Sequence, residues 1–524
     1  NYCIGNGIVI NYSDTYNSPE LFYAKILYIY HYIYHYYKDL KHLKPTERPI
    51  HCSDIKRETL YIKEEDKWIK DDKNKTIVAD AIGKVKREAD SFFPKWLEEH
   101  PLCWKRDSPY HEQYMTMVTN RFGKGDENFV EKNTKKVIKK LTSKYYRSII
   151  ELIMPPNVIL ILLDGSRTDR LHISNEFQEL KKQGILFNNV TAAYPYTFSA
   201  INAIFTGVFG KENGVNAYYK MFRLKDSIEF LPEILQNNGY FTSCDLISDK
   251  VISKRGFDIH QSHNEHVDDL TMRHSELIKK SFAEAKGKPI FSFLQFSKIH
   301  TVTVSEVLKK YEWNDKEFYK NKQKNLAKYD QVFLDTVAYA IKIKQTIKEI
   351  KKDSETILIF FCDHGTGVGE RFGERNYGVF TYEETVRTYY LFIGPNIQKN
   401  IKYDGLLSSI RLFPTILDIC GINLDLKYKE KSLKPFLYGE KEQPLEEKYT
   451  FSETGGLQGP FPSPNEPNVF CIRTKTHKLI YFKTINEWKM FNLQNDPLEL
   501  DNIYDKGQSI ENELKEELLN WINR

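Results

Sequence analysis

NVILILLDGS, residues 157–166, is the stretch on which the fold turns. A continuous apolar run of this kind, without polar alternation, reads as a strand buried on both faces of a parallel sheet. It ends in Asp164-Gly165, a carboxylate placed where the strand runs out. A second run, ETILIFFCDHG at 355–365, has the same texture and ends in Asp363-His364. Between them the patterns alternate. FQELKKQGILFNNVTAAYP gives a helix, a glycine stop and a strand, and EFLPEILQNNGYFTSCDLIS repeats that order. KPIFSFLQFSKIH supplies a further strand, YDQVFLDTVAYAIKIKQTIKEIKK a long amphipathic helix, and TYYLFIGP one more strand. The expectation is an α/β fold with a large, mostly parallel central sheet flanked by helices over residues 155–445.

In such a sheet, ligands bind beyond the carboxyl ends of the strands. Asp164 and Asp363-His364 both belong there. A third segment joins them: YPYTFSAINAIFTG, residues 194–207, runs from a proline-broken loop into a helical pattern and stops at Thr-Gly. Thr197 sits at its first turn, where unpaired N–H groups and the helix dipole favour an anion. Threonine is also a common helix cap, and that reading stays open on the segment alone. Together, Asp164, Thr197, Asp363 and His364 form a four-ligand set for one divalent metal, which would lower the pKa of the hydroxyl. A turn aspartate and a hydrogen-bonded loop histidine are the plain alternatives.

The bulk properties set the frame. With 524 residues, 41% hydrophobic and 28% charged, the chain has the composition of folded proteins rather than disordered ones. A net charge of +5 is small for this length and gives no clear argument for nucleic acid. The seven cysteines are widely spaced with no CxxC, which points away from a disulfide framework or a zinc knot. No apolar run reaches the roughly 18 residues that span a bilayer, and no signal peptide is evident; localisation and oligomeric state stay open. Residues 1–150 read as a helix-rich region of unknown role. It carries an aromatic run at 20–43, Trp68, Trp96 and Trp104 along helical patterns, and a lysine-rich run at 131–144. The tail, residues 446–524, reads as a small α+β subdomain of short strands and a closing helix.

From about 157 to 504 the chain resembles the sulfatase-like branch of the alkaline phosphatase superfamily. The likeness rests on an ordered series: NVILILLDGSRTDRL, YTFSAINAIFTGVFGKENGV, LQFSKIHTVTV, FFCDHGTGVGE, VFTYEETVRTYYLFIGP, SSIRLFPTILDICGI and FNLQNDPLELDNI. It implies that Asp164, Asp363 and His364 bind a metal and that Thr197 is the nucleophile. It also implies that His300 contacts the transferring group or protonates the leaving oxygen. Arg167, Asn216 and Arg375 would contact the anion, although a salt-bridging role for Arg167, a turn asparagine at Asn216 and a surface arginine at Arg375 serve as well. Mn²⁺, Mg²⁺, Ca²⁺ and Zn²⁺ all suit an oxygen-rich site of this kind.

Departures from the family pattern shape the expected reaction. Sulfatases proper carry a Cys/Ser-x-Pro-x-Arg frame whose first residue becomes formylglycine. Here Thr197, Ser199 and Ile201 fill those places, and Gly165 follows Asp164 where a second acidic ligand is usual. The resemblance therefore suggests a threonine-nucleophile hydrolase or transferase acting on phosphate esters rather than sulfate esters, on a glycan or a lipid. It is similar in this to phosphodiesterases and to phosphoglycerol and phosphoethanolamine transferases. The alternative is a catalytically silent protein that holds an anionic glycan or a protein partner.

Overall fold

The computed structural model describes residues 155–221, 223–299, 312–422, 425, 430–440 and 446–524, preceded by four short strands. The chain divides into two units, Asn1–Met154 and Pro155–Arg524. In the first, β1 (Tyr2–Ile4), β2 (Ile8–Ile10), β3 (Leu60–Glu64) and β4 (Lys67–Lys70) form a sheet in the order β2-β1-β3-β4. This corrects the helical reading of Trp68, which lies on β4 opposite Lys63. Leu60–Glu64 and Lys67–Lys70 carry the aromatic and β-branched residues that favour strands (Tyr61, Ile62, Trp68, Ile69), a signal that a charge-rich window masks. The expected aromatic helix at 20–43, Trp96, Trp104 and the lysine-rich run lie outside the described residues.

The second unit is built on β5 (Asn157–Leu163), whose seven residues are all buried. Its neighbours are β6 (Ile185–Thr191), β7 (Phe241–Leu246), β8 (Ile259–Ser262), β9 (Ile290–Phe296), β10 (Thr356–Phe361), β11 (Arg387–Ile393), β12 (Ile401–Tyr403) and β13 (Leu407–Ser408). They make one nine-stranded sheet in the order β12-β6-β11-β10-β5-β9-β7-β8, with β13 also paired to β6. The pairs β10–β5, β5–β9, β9–β7 and β7–β8 are parallel. Only β11 runs against both neighbours. The mostly parallel sheet expected from the apolar runs is what the structure contains.

Register delivers the polar residues to one edge. Leu163 pairs with Phe296 on β9, and Phe361 on β10 pairs with Leu162, so Asp164, Ser297 and Asp363 all emerge where the parallel strands end. Helices cover both faces. On one lie α2 (Thr197–Thr206), α3 (Leu231–Asn237) and α6 (Leu412–Ile419), with Ile201, Leu235 and Ile416 packed on Leu160, Phe293 and Ile359. On the other lie α1 (Asn175–Lys181), α4 (Leu270–Glu284) and α5 (Lys322–Glu349), with Phe177, Leu277 and Val337 packed on Ile159, Leu294 and Phe360. Alternation along β5 feeds the two cores, Leu160 and Leu162 to the first, Ile159 and Ile161 to the second. The tail forms a separate antiparallel sheet of β14 (Thr450–Thr454), β15 (Val469–Arg473), β16 (His477–Phe482) and β17 (Glu487–Asn492), with α7 (Glu511–Asn523) packed on it. Cys244, Cys362, Cys420 and Cys471 are buried free thiols, as the cysteine spacing suggested.

Candidate active site at the sheet edge

Asp164 is the first residue beyond β5, and the chain must turn away at once to leave its carboxylate at the edge. Gly165 makes that turn at φ 75°, with Ser166 N–H bonded back to Leu163 O at 3.1 Å. Asp164 Oδ2 accepts from Gln295 Nε2 at 2.6 Å, and Gln295 Oε1 in turn accepts from Ile247 N–H at 3.0 Å. Gln295 thereby fixes the carboxylate from the neighbouring strand. Sequence reasoning missed it, although a lone amide inside the apolar strand IFSFLQF was a visible signal.

The helix α2 brings the hydroxyl. Tyr196 holds the extended cap position at φ −158°, so Thr197 is the first helical residue and not the cap. Its Oγ1 lies 3.3 Å from Asp164 Oδ2 and 3.1 Å from His364 Nε2, which answers the capping alternative: the side chain turns to the acids and the imidazole. At the far end Gly207 closes the helix at φ 69°, and a Cβ there would meet Phe413 Cδ1 at 2.6 Å. The loop before Thr197 is held by the tail sheet. Tyr194 O–H donates to Glu453 Oε1 at 2.6 Å, and Gly210 N–H donates to the same phenol oxygen at 2.7 Å. Burial pushes the Glu453 carboxyl up to about 7.

His364 follows β10. Its Nδ1 lies 2.8 Å from the carbonyl oxygen of Gly365, which can only accept, so that nitrogen carries hydrogen. In the neutral ring Nε2 then presents a lone pair, 3.6 Å from Asp164 Oδ1 and 3.6 Å from Asp363 Oδ2. The Tyr377 ring packs against the imidazole with centroids 4.4 Å apart. Ligand atoms of Asp164, Asp363 and His364 lie within 4.8 Å of one another, and all three residues are fully buried. Two carboxylates and an imidazole nitrogen so close together, out of water, fit a cation as the charge that reconciles them. With the Thr197 oxygen beside them, the donor set suits a hard or borderline divalent ion.

The other expected contacts fare differently. Arg167 is pinned by a fork of hydrogen bonds to Asp169 at 2.9 and 2.8 Å, and by Glu370 at 2.7 Å. Burial opposes its charge, and the carboxylates of Glu370 and Asp169 more than offset this. Arg375 pairs with Asp315 at 2.9 Å and lies over the Phe318 ring at 4.8 Å. Asn216 accepts from Lys220 Nζ at 3.1 Å. Arg167 thus makes the salt bridges foreseen as its alternative, whereas Arg375 is buried and ion-paired rather than the surface arginine foreseen for it. His300 lies outside the described residues.

A second buried cluster went unnoticed in the sequence. His263 Nδ1 lies 2.8 Å from Asp245 Oδ1, and His263 Nε2 lies 3.1 Å from Ser297 Oγ. The order mimics a serine hydrolase triad, but Ser297 is fully buried and no substrate reaches it. Asp245 also accepts from Gln261 at 2.7 Å and from Arg273 Nε at 2.5 Å. His274 stands beside it, with Nδ1 2.6 Å from the Tyr339 hydroxyl. Since α4 and α5 supply Arg273, His274 and Tyr339, this cluster lies on the sheet face opposite Thr197.

Comparison with known proteins bears on the family and the fold. A family model described as sulfatase matches residues 156–422, and one described as N-sulphoglucosamine sulphohydrolase, C-terminal, matches residues 374–524. The N-acetylglucosamine-6-O-sulfatase of Bacteroides thetaiotaomicron is 28% identical over 195 residues, 34% of this chain and 33% of that protein. The chain thus spans about a third of that relative's length. Among solved structures, a 2-O GAG sulfatase superposes with a TM-score of 0.60 at 18% identity, covering 71% of this chain and 92% of the other. The phosphonate monoester hydrolase of Agrobacterium radiobacter gives 0.54 at 17% identity, covering 70% and 95%. At these identities the superpositions speak for the fold alone.

Proposed function

The chain belongs to the sulfatase family, and from that premise we propose that it cleaves a sulfate or phosphate ester of a sugar, with Thr197 as nucleophile. One observation carries the reading: the Thr197 hydroxyl, at the N-terminus of a ten-residue helix, lies 3.3 Å from Asp164 and 3.1 Å from His364. The free N–H groups of the first turn and the positive end of the helix face an arriving anion. Thr197 O–H donates to Asp164 Oδ2, which turns the lone pairs of Oγ1 away from the carboxylate. Gln295 holds that carboxylate in place, and Tyr377 fixes the plane of His364. Asp164, Asp363 and His364 would hold a divalent cation. When bound, it supplies positive charge against the negative charge that builds on the transferring group.

Phosphate in preference to sulfate rests on the identity of Thr197, which cannot become formylglycine. The relatives are named as sulfatases and one neighbour as a phosphonate monoester hydrolase, and these names do not support that preference. The sugar follows the name of the N-acetylglucosamine-6-O-sulfatase relative. A silent binding protein is the second reading, favoured by Arg167 and Arg375 being spent on ion pairs.

Turnover of aryl sulfate, aryl phosphate and aryl phosphodiester by the full chain, with Mn²⁺, Mg²⁺, Ca²⁺ or Zn²⁺ added in turn, tests the proposal and ranks the anions. Thr197→Ala is expected to lower the rate on the preferred ester by on the order of 10⁴-fold or more. Full activity in that variant refutes the nucleophile. No turnover of any ester, with no metal found by elemental analysis, transfers the case to the silent reading.

A further inference from the structure

GTGVGERFGERNYGVF, residues 365–380, carries five glycines and forms neither a helix nor a named strand. A segment of this composition has little conformational preference of its own, so its shape has to be imposed from outside. The shape matters because Tyr377 within it packs against the His364 ring, with centroids 4.4 Å apart. The χ2 torsion of a histidine has broad, roughly two-fold wells, so neighbours set the plane of the imidazole. Two of them here are the Gly365 carbonyl, 2.8 Å from Nδ1, and the Tyr377 ring.

Part of the hold on Tyr377 is internal. Glu374 Oε1 accepts from Val379 N–H at 2.9 Å and from Phe380 N–H at 2.8 Å, which closes the chain on either side of the tyrosine. The rest comes from the tail. Gln458 Nε2 donates to Tyr377 O at 3.1 Å and, more weakly, to Arg375 O at 3.4 Å. Thr454 O–H, at the end of β14, donates to Gly378 O at 2.8 Å. Gly456 lets the two chains come this close, since a Cβ there would collide with the Gly378 carbonyl oxygen.

We propose that Gln458 is a positioning residue for the reaction. By holding the backbone of Tyr377 it keeps the tyrosine ring against His364, and so keeps Nε2 directed at Thr197 and the two carboxylates. That this serves ester cleavage rests on the function proposed above; the positioning itself rests on the geometry.

The chemistry of the amide argues against a space-filling role. Both carbonyls can only accept, which places the amide nitrogen, and not the oxygen, toward them. Gln458 is buried, and its Oε1 has no hydrogen-bond partner among the described residues. Burying an amide with one end unpaired costs more than burying an apolar chain of the same length. What distinguishes the glutamine is therefore its pair of bonds to the Tyr377 segment. His364 Nε2 lies 3.1 Å from Thr197 Oγ1, and rotation of an imidazole released from its neighbour would break that contact.

Gln458→Met keeps the length of the side chain and removes its donors, and the full chain carrying it tests the proposal. With histidine ring carbons labelled, the His364 resonance is assigned by its loss in His364→Asn. It is expected to shift as the Tyr377 ring current moves, while that of His477 on β16 stays, which shows the tail sheet intact. Affinity for Mn²⁺, by calorimetric titration, is expected to fall about tenfold or more. The kcat on the preferred aryl ester should fall by about the same factor, with KM little changed. Gln458→Met added to Tyr377→Leu should cost nothing further, because the two act through one contact. Where the His477 resonance also moves, Gln458→Asn, one methylene shorter, takes the place of the methionine variant. An unmoved His364 resonance with native Mn²⁺ affinity, or a full further loss in the double variant, overturns the positioning role. A shifted His364 and weakened Mn²⁺ binding in a chain that cleaves no ester keep the positioning and remove the hydrolase reading. Cleavage through Thr197, with His364 unmoved by Gln458→Met, does the opposite.

Discussion

Two buried clusters of aspartate and histidine sit at the same end of one sheet, on its opposite faces, and they are built by different rules. Around Asp245 every charge is answered from within the chain: Arg273 and Gln261 take one carboxylate oxygen, and His263 takes the other. Around Thr197, the groups that meet are two carboxylates, a hydroxyl and an imidazole nitrogen that offers a lone pair. Asp164 is steadied there by a neutral amide, Gln295. In the first arrangement the carboxylate is fully hydrogen-bonded as folded, while His274 Nε2 has no hydrogen-bond partner. The second gathers acceptors, the donor set that the proposed divalent cation would need. Burial and residue type alone would have ranked the two alike, so what separates them is which groups supply the hydrogens.

Substitution should pull the two apart, and the widest gap belongs to activity. Asp363→Asn is expected to lower ester turnover by about 10²-fold or more and to weaken retention of the divalent ion, read by elemental analysis after dialysis. In chelator, the same variant should melt no lower than the native chain, because one of two crowded carboxylates has become neutral. A melting temperature well below the native one in chelator would break the contrast. Asp245→Asn should do the reverse. It takes from Arg273 its nearer anion, leaving Asp268 at 3.9 Å, and removes the charged acceptor of His263; it is expected to cost about 1–3 kcal/mol of stability by denaturant titration. Turnover per folded molecule should hold, and a selective loss of turnover would put this cluster in the chemistry.

The smallest effect concerns pH. Burial is the main force that pushes the His274 imidazole down to about 3, from an ordinary value near 6.5. The unfolded chain therefore takes up a proton below about 6.5 that the folded chain refuses until about 3. Stability must fall as the pH drops through that window, and it is fully present above it. His274→Asn should flatten the fall in melting temperature between pH 7 and pH 5 by a few degrees, on the order expected for about 1 kcal/mol. An unchanged slope would move the acid sensitivity to other groups.

How far the sequence could be read follows from where the physics is local. The runs at 157–166 and 355–365 are apolar enough to demand burial on both faces, so the central strands and their terminal acids were legible. The Thr197–Thr206 helix was legible from its small residues and its glycine stop. Strand β8, IHQS, was not found, because an edge strand that is half exposed carries no apolar run. The antiparallel course of β11 was also hidden, since the residues RTYYLFI state burial and not direction. Arg167 and Arg375 looked fit for an anion; their partners Glu370 and Asp315 lie far off in sequence and meet them only through folding. His263 and Asp245 offered no spacing to recognise for the same reason.

The clasp between Tyr194 and Glu453 joins residues 259 positions apart in the chain. During synthesis at about 5–20 residues per second, the loop before Thr197 waits roughly 13–50 s for that partner to be made. The central strands can pair in the meantime, but the hydroxyl cannot be locked against the acids until the tail sheet has closed over it. The Thr197 hydroxyl is thus synthesised well before the residue that clasps its loop.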